Sequence, residues 1–348
     1  MQLNFLQECL SEFVQPLSKK DIWTKFALIS HKAEKNIEIL KDYNCYFLIA
    51  SLYPHIQQEG LISKYLKIAP EQAFSEDTNH FRQLLDLIYI DKDFKIDSIE
   101  KYFYNLKSGG FLFLEREESN ESQKINFDAI KGMKLIKSSE KGLVFEKLKT
   151  PLVLSSNFHI YGNKVTSSDR CTKLYRDLDT LNEACESLGL KYCAVGGTAL
   201  GLARHGGIIP WDDDLDLATT PWYWERFRHK WKFWKSKGMP WVFHRAGRAH
   251  IGRDIDMFGL KWLSKSKGGN FYRGPLKVSV YKDEWRKEIK KQTFGDSFIY
   301  APIDCTKLLD RRYGRWWYNS VNPQDCFHGM RKNNFGKFKM KASDRSFI

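Results

Sequence analysis

Four aspartates crowd one short stretch of the chain. Asp212, Asp213, Asp214 and Asp216 all fall within GGTALGLARHGGIIPWDDDLDL, which runs from Gly196 to Leu217. Carboxylates this close repel one another unless a cation sits among them or water screens them. Asp214 and Asp216 are two residues apart, so on a β-strand they share one face while Leu215 and Leu217 turn to the core. Two carboxylates held that way can bridge hard cations through oxygen ligands. Downstream, HIGRDIDMFGL repeats the alternation and predicts Asp254 and Asp256 on one face, with Ile255 and Met257 on the other. If the two strands are neighbours, Asp256 brings a third carboxylate to the same cations. A metal site on Asp214, Asp216 and Asp256 is therefore expected in preference to a solvated acidic turn. Asp212 and Asp213 stay open at this point: either can touch metal, hold Arg204 or brace the loop backbone.

The elements that must position these carboxylates are legible around them. KYCAVGG predicts a short strand running into Gly196 and Gly197, and a helix follows from Thr198 to His205. Paired glycines let the backbone turn tightly and approach a phosphate, while the helix behind them directs free N–H groups and its positive dipole end the same way. Gly196, Gly197 and Thr198 are thus candidates to cradle a phosphate, with the Thr198 hydroxyl as an added donor. Arg204 is a candidate phosphate partner because its fork suits paired oxygens. His205 can do the same or fix the loop. Upstream, SSDRCTKLYRDLDTLNEACESLGLKY predicts a helix capped at Ser167 or Ser168, with Leu174, Leu178, Leu181, Cys185 and Leu188 on one face and Gly189 at its end. TTPWYWERFRHKWKFWKSKG predicts another, with Thr220 as cap and Pro221 in the first position. Its tryptophans are expected to pack on the sheet. Trp211 is expected to be a packed loop anchor.

Charge is unevenly distributed. The formal net charge is +14, yet residues 1–150 carry 21 Lys and Arg against 22 Asp and Glu, leaving 35 against 20 for the remainder. The basic excess surrounds the acidic cluster, which suits a polyanionic substrate such as a nucleotide diphosphate or nucleic acid. The seven cysteines are scattered without a CxxC pair, which argues against a disulfide framework or a zinc site. The longest apolar run, YNCYFLIASLY, is about half of what a bilayer span requires. No signal-peptide pattern is visible, so a cytoplasmic location is expected.

The first eighty residues or so read mostly as helices, on spacings such as Phe26, Ile29 and Ile37, Leu40. From Leu84 to Glu117 the pattern becomes a buried strand, an acidic loop, a helix, a turn at Gly109–Gly110 and a strand over Phe111–Leu114. That unit resembles the later half of a Rossmann-like methyltransferase domain. The upstream glycine-rich cofactor loop is missing, because the corresponding stretch has its one glycine at Gly60. The expected organisation is an α/β N-terminal domain over 1–160, a catalytic domain over 161–330 and a loosely held basic tail over 331–348.

The Gly-Gly turn, the Asp-hydrophobic-Asp strand and the third Asp resemble the nucleotidyltransferase superfamily. The whole string from Gly196 to Leu217 is similar to the hallmark of its LicD/fukutin phosphotransferase branch. DIDMF, TFGDSFIYAP and LLDRRYGRWW resemble that branch's later segments, so the resemblance covers about Asp169 to Trp317. Arg315 departs from it, standing where an acidic residue is usual. The resemblance implies a mixed sheet flanked by helices. It implies transfer of a phosphorylated alcohol, such as phosphocholine or ribitol phosphate, from a CDP-linked donor to a glycan, with release of CMP. It further implies two Mg²⁺ or Mn²⁺ ions on Asp214, Asp216 and Asp256, with Asp256 receiving the acceptor's proton. The alternative is a nucleotidyltransferase proper, acting on RNA or a small molecule and releasing pyrophosphate. The loop RHGGIIPWDDD favours the first reading, so nucleic acid is not the expected partner.

Overall fold

The computed structural model describes residues 4–29, 39–40, 42–50, 63–66, 83–92, 100–116, 132–148, 168–210, 212–243, 247–263, 271–273, 279–281, 284–315, 317–318, 320–321 and 338–339. Trp211, Gly60 and most of the basic tail lie outside them. The chain divides into two compact units, Met1–Pro151 and Leu152–Ile348.

The first unit opens with short helical pieces: α1 (Phe5–Cys9), a π-turn (Leu10–Val14) and α2 (Gln15–Ser18). Its strands are β1 (Ile22–Ile29), β2 (Cys45–Ala50), β3 (Ser63–Leu66), β4 (Leu85–Ile90), β5 (Leu106–Glu115), β6 (Met133–Ser139) and β7 (Gly142–Lys147). Their order is β3-β2-β1-β4-β5-β7-β6. The pairs from β3 through β5 are parallel, and β7 runs antiparallel to both its neighbours. The helical reading is corrected at Phe26 and Ile29, which belong to β1, and at β2 and β3, while Ile37 lies outside the described residues. Strand β1 is covered on both faces, so its run of apolar and β-branched residues need not alternate, and a helical spacing within it is coincidental.

A second correction concerns Gly109–Gly110. The helix α3 (Glu100–Asn105) leads directly into β5, and both glycines sit inside that strand. Gly109 takes a positive φ of 76°, and the β4 pairing jumps from Leu85↔Leu106 to Leu87↔Phe111. The glycine pair therefore forms an irregularity in the ladder rather than its start.

The second unit opens with α4 (Ser168–Leu188), whose apolar stripe of Leu174, Leu178, Leu181 and Cys185 is buried as the spacing predicts. Gly189 ends it at φ +60°, with the Leu190 N–H reaching back to Cys185 O at 2.9 Å. There follow β8 (Cys193–Ala194), α5 (Gly196–Arg204), β9 (Leu215–Thr219), α6 (Pro221–His229), α7 (Trp231–Ser236), β10 (Trp241–Phe243), β11 (Arg248–Ile251) and β12 (Ile255–Gly259). Their sheet is mixed, in the order β10-β11-β12-β9-β8; β12 and β9 are parallel and the other pairs antiparallel. The unit is thus mixed α/β with flanking helices, as expected.

The helix expected after Thr220 is broken into α6 and α7 at Lys230, which leaves helical geometry at φ −91°, ψ 20°. Further on, β13 (Lys261–Leu263), β14 (Phe271–Arg273) and β15 (Ser279–Tyr281) form a small antiparallel sheet. A hairpin of β16 (Ile289–Phe294) and β17 (Ser297–Pro302) precedes α8 (Thr306–Tyr313). Two residues of the tail expected to be loose, Phe338–Lys339, pair as a strand with Ser320–Val321. Among the described residues no helix is long and apolar enough to cross a membrane.

Candidate metal and phosphate site

The parallel pairing of β12 with β9 sets Asp256 directly beside Asp216. Asp214 lies just before β9, and carboxylate oxygens of Asp214, Asp216 and Asp256 approach within 4.8 Å of one another. Asp212, Asp213 and Asp214 form a second group of that kind. All donors are oxygens, the chemistry that hard divalent cations select.

Asp212 records the cost of so much like charge. Its side chain keeps partial exposure, yet its carboxyl is surrounded by protein. Burial, then the charges of Asp214 and Asp216, then a hydrogen bond to Asp214 raise its pKa well above the ordinary carboxylate range. Asp256 is buried at 2 % exposure, and its Oδ1 has no well-angled hydrogen bond although His250 Nδ1 stands 2.8 Å away. A crowded acidic group and a poorly satisfied buried oxygen are what a cation would relieve.

The glycines turn out to serve the carboxylates. Gly196 has φ +52°, and a Cβ there would overlap the Asp216 carboxylate; one at Gly197 would overlap that of Asp212. The Gly197 N–H donates to Asp216 Oδ2 at 2.9 Å, and the Asp216 N–H donates to Thr198 Oγ1 at 2.7 Å. The first turn of α5 therefore presents its dipole end to Asp216, and Thr198 accepts a backbone bond while its own O–H stays available to donate. Arg204 and His205 are both buried. Arg204 Nε donates to His205 Nε2 at 3.1 Å, and its Nη1 to Trp317 O at 3.1 Å. Arg204 thus ties α5 to the YGRWW segment, whose Trp317 Nε1 in turn donates to Asp310 Oδ1.

Asp254 departs from the alternation expected of it. β12 begins only at Ile255, and Asp254 stands in the preceding turn, buried and paired with Arg170 (2.8 Å) and Lys173 (2.6 Å) of α4. The same Arg170 donates to Asp213 O at 2.8 Å, and the Leu215 N–H to Asp254 O. Arg170 and Asp254 thus clasp both ends of the turn that carries Asp213 and Asp214. Tyr175, one turn further along α4, accepts the Ile208 N–H at 3.0 Å, while the Gly295 N–H donates to Gly206 O at 2.7 Å. The GGIIP loop is pinned from two sides.

Residues that sequence reasoning missed stand on β11. His250 faces Asp256 across the antiparallel pair, and Arg248, two residues earlier on the same face, donates to Asp256 Oδ2. The sole local signal was the alternation of Arg248 and His250 in RAHI, which gains meaning only once β11 is known to border β12.

The mixed sheet brings together a glycine turn, a helix N-terminus and three convergent carboxylates. Residues 189–342 match the family model described as LicD/FKTN/FKRP, nucleotidyltransferase domain. The match starts later and ends later than the segment expected from sequence. An uncharacterized protein of Rickettsia typhi is 27% identical over 173 residues, 49% of this chain and 55% of the relative. The lipopolysaccharide cholinephosphotransferase LicD of Haemophilus influenzae is 41% identical over 54 residues, 16% of this chain and 20% of the relative. The human ribitol 5-phosphate transferase FKRP is 59% identical over 32 residues, 9% and 6% of the respective chains. The chain spans little more than half the length of the rickettsial relatives it matches.

Proposed function

We propose that the C-terminal unit is a phosphotransferase that moves a phosphorylated alcohol, phosphocholine or ribitol phosphate in kind, from a CDP-linked donor to a glycan hydroxyl, with CMP leaving. The observation that carries this reading is the approach of Asp214, Asp216 and Asp256 within 4.8 Å, in a domain whose relatives are a cholinephosphotransferase and a ribitol 5-phosphate transferase.

Asp214, Asp216 and Asp256 would hold one or two Mg²⁺ or Mn²⁺ ions. Bound there, such ions supply charge neutralisation for the diphosphate and the leaving CMP. The chain's own contribution is positional. The Gly197 N–H and Thr198 Oγ1 fix Asp216, the Arg170–Asp254 clasp fixes the turn bearing Asp214, and Arg248 holds Asp256 by one oxygen. Asp256 Oδ1, the oxygen that Arg248 does not hold and that His250 Nδ1 approaches at 2.8 Å, is the atom we assign to receive the acceptor hydroxyl's proton. Thr198 has an unused O–H with which to meet a donor phosphate.

The test is CMP release from CDP-choline, CDP-ribitol and CDP-glycerol, with and without Mg²⁺, for the native chain and for Asp214→Asn and Asp216→Asn. Metal-dependent CMP from one donor, lost in both variants, is the expected result. Consumption of nucleoside triphosphates with pyrophosphate release, and no CMP from any CDP donor, would move the assignment to a nucleotidyltransferase.

A further inference from the structure

The stretch from Pro221 to Phe243 has a surface unlike the rest of its unit. Eight large apolar side chains are exposed among the described residues, and four of them, Trp222, Trp231, Val242 and Phe243, fall here. Trp222 is the extreme, at 68 % exposure. The same stretch exposes Arg226, Arg228, Lys230, Lys232, Lys235 and Lys237 against one acidic residue, Glu225. Glu225 is already taken by Arg228 at 2.7 Å.

The fold does not need the exposed rings. Inside the stretch, Phe227 stacks on Trp234 with centroids 5.6 Å apart, and Trp234 Nε1 donates to Phe227 O at 3.0 Å. Trp224 meets Trp241 edge-on at 5.2 Å and Phe243 at 6.4 Å, so the end of β10 and α6 form one surface. Trp224, Phe227 and Trp234 anchor this platform to the core. Trp222 and Trp231 are left in water, where an apolar ring of that size is unfavourable unless something covers it.

We propose that this surface, residues 221–243, docks the protein peripherally on an anionic lipid bilayer. Tryptophan suits the headgroup region because its ring is apolar while its N–H still finds a polar partner. Lysine stems lie along apolar material while their ammonium groups reach lipid phosphates. The combination of exposed indoles with a cationic excess is the composition of an interfacial element. Single-stranded nucleic acid fits less well. Lys232 Nζ lies over the Trp231 ring at 5.6 Å, on a face that a base would have to stack against, and Val242 offers no ring at all. The surface uses none of the carboxylates, so the inference goes beyond the proposed transferase and is tested without a donor.

The experiment is co-sedimentation of the full chain with vesicles of phosphatidylcholine alone and of equal phosphatidylcholine and phosphatidylglycerol. Binding to the anionic vesicles is expected to be at least about tenfold tighter and to weaken in about 0.5 M salt. Trp222→Ser with Trp231→Ser is expected to weaken it about tenfold, and Lys232→Glu with Lys235→Glu by about as much or more. Both pairs are exposed, and unchanged thermal unfolding verifies that the variants fold. Failure to sediment with anionic vesicles, or sedimentation unaffected by both double variants, overturns the proposal. So does displacement from the vesicles by single-stranded RNA at equal phosphate concentration, which would give the surface to nucleic acid.

Discussion

Each unit of this protein encloses a carboxyl group in protein, Asp86 within β4 and Asp212 in the loop before β9, and the two are treated in opposite ways. In the N-terminal unit Asp86 of β4 is paired with the equally buried Lys107 at 2.8 Å and accepts the Lys25 N–H at 2.7 Å. Burial alone would raise its pKa, but Lys107 and these hydrogen bonds outweigh it and hold the carboxyl below the ordinary range. In the C-terminal unit Asp212 is buried among Asp214, Asp216 and Asp213, and its pKa goes well up. The first carboxylate is answered by its own chain and is structural. The second stands among like charges that, with burial, favour its protonated form. A buried acid by itself therefore says little, and its neighbours decide its role.

The contrast can be broken at several points. The largest effect is expected from Asp214→Asn or Asp216→Asn, which should reduce metal-dependent CMP release by about a thousandfold or more, roughly 4 kcal/mol of transition-state stabilisation. Next, Lys107→Met leaves Asp86 buried without its partner and should destabilise the N-terminal unit by about 3 kcal/mol in denaturant unfolding. Pairing it with Asp86→Leu should recover much of that loss. If Lys107→Met is neutral, Asp86 is not answered as described.

Arg170→Ala tests the clasp. It should weaken Mn²⁺ binding, followed by titration calorimetry, by about tenfold or more, because an outer partner that orients a ligand is lost. An unchanged affinity would make the clasp merely structural.

The smallest and most telling effect is in the pH dependence of stability. Asp86, with its lowered pKa, contributes stability that is present above 3.8 and is lost as pH falls through its folded value. Asp212, with its raised pKa, contributes stability that is present below 3.8 and is lost as pH rises through its folded value. Without divalent cation, thermal scans should therefore show opposite trends for the two units. Added Mg²⁺ should flatten the C-terminal one, and Asp212→Asn should remove it, at a gain of about 1 kcal/mol near neutral pH.

Much of the site was legible because its first half is local. The period of a strand puts Asp214 and Asp216 on the same side, and one stretch of chain supplies glycine turn, helix and strand in order. The apolar stripe of α4 was readable for the same reason. The helical spacing misleads at β1, which is buried on both faces and so carries no alternation to recognise, whereas β4 and β5 are legible as buried strands. Asp254 was misplaced by a rule that holds only inside a strand, and β12 starts one residue later.

By itself, then, the order of residues determined the carboxylate pair, the turn and helix behind it, the family resemblance and the place of the basic excess. All of these rest on spacings of a few residues, which backbone geometry converts directly into direction. Only the tertiary structure decided that Asp256 lies beside Asp216, that Arg248 and His250 flank it from β11, and that Arg170 and Tyr175 of α4 pin the intervening loops. It also decided which tryptophans of residues 221–243 are buried and which face water. Those facts depend on strand register and helix packing between segments far apart in the chain, and no local period encodes them.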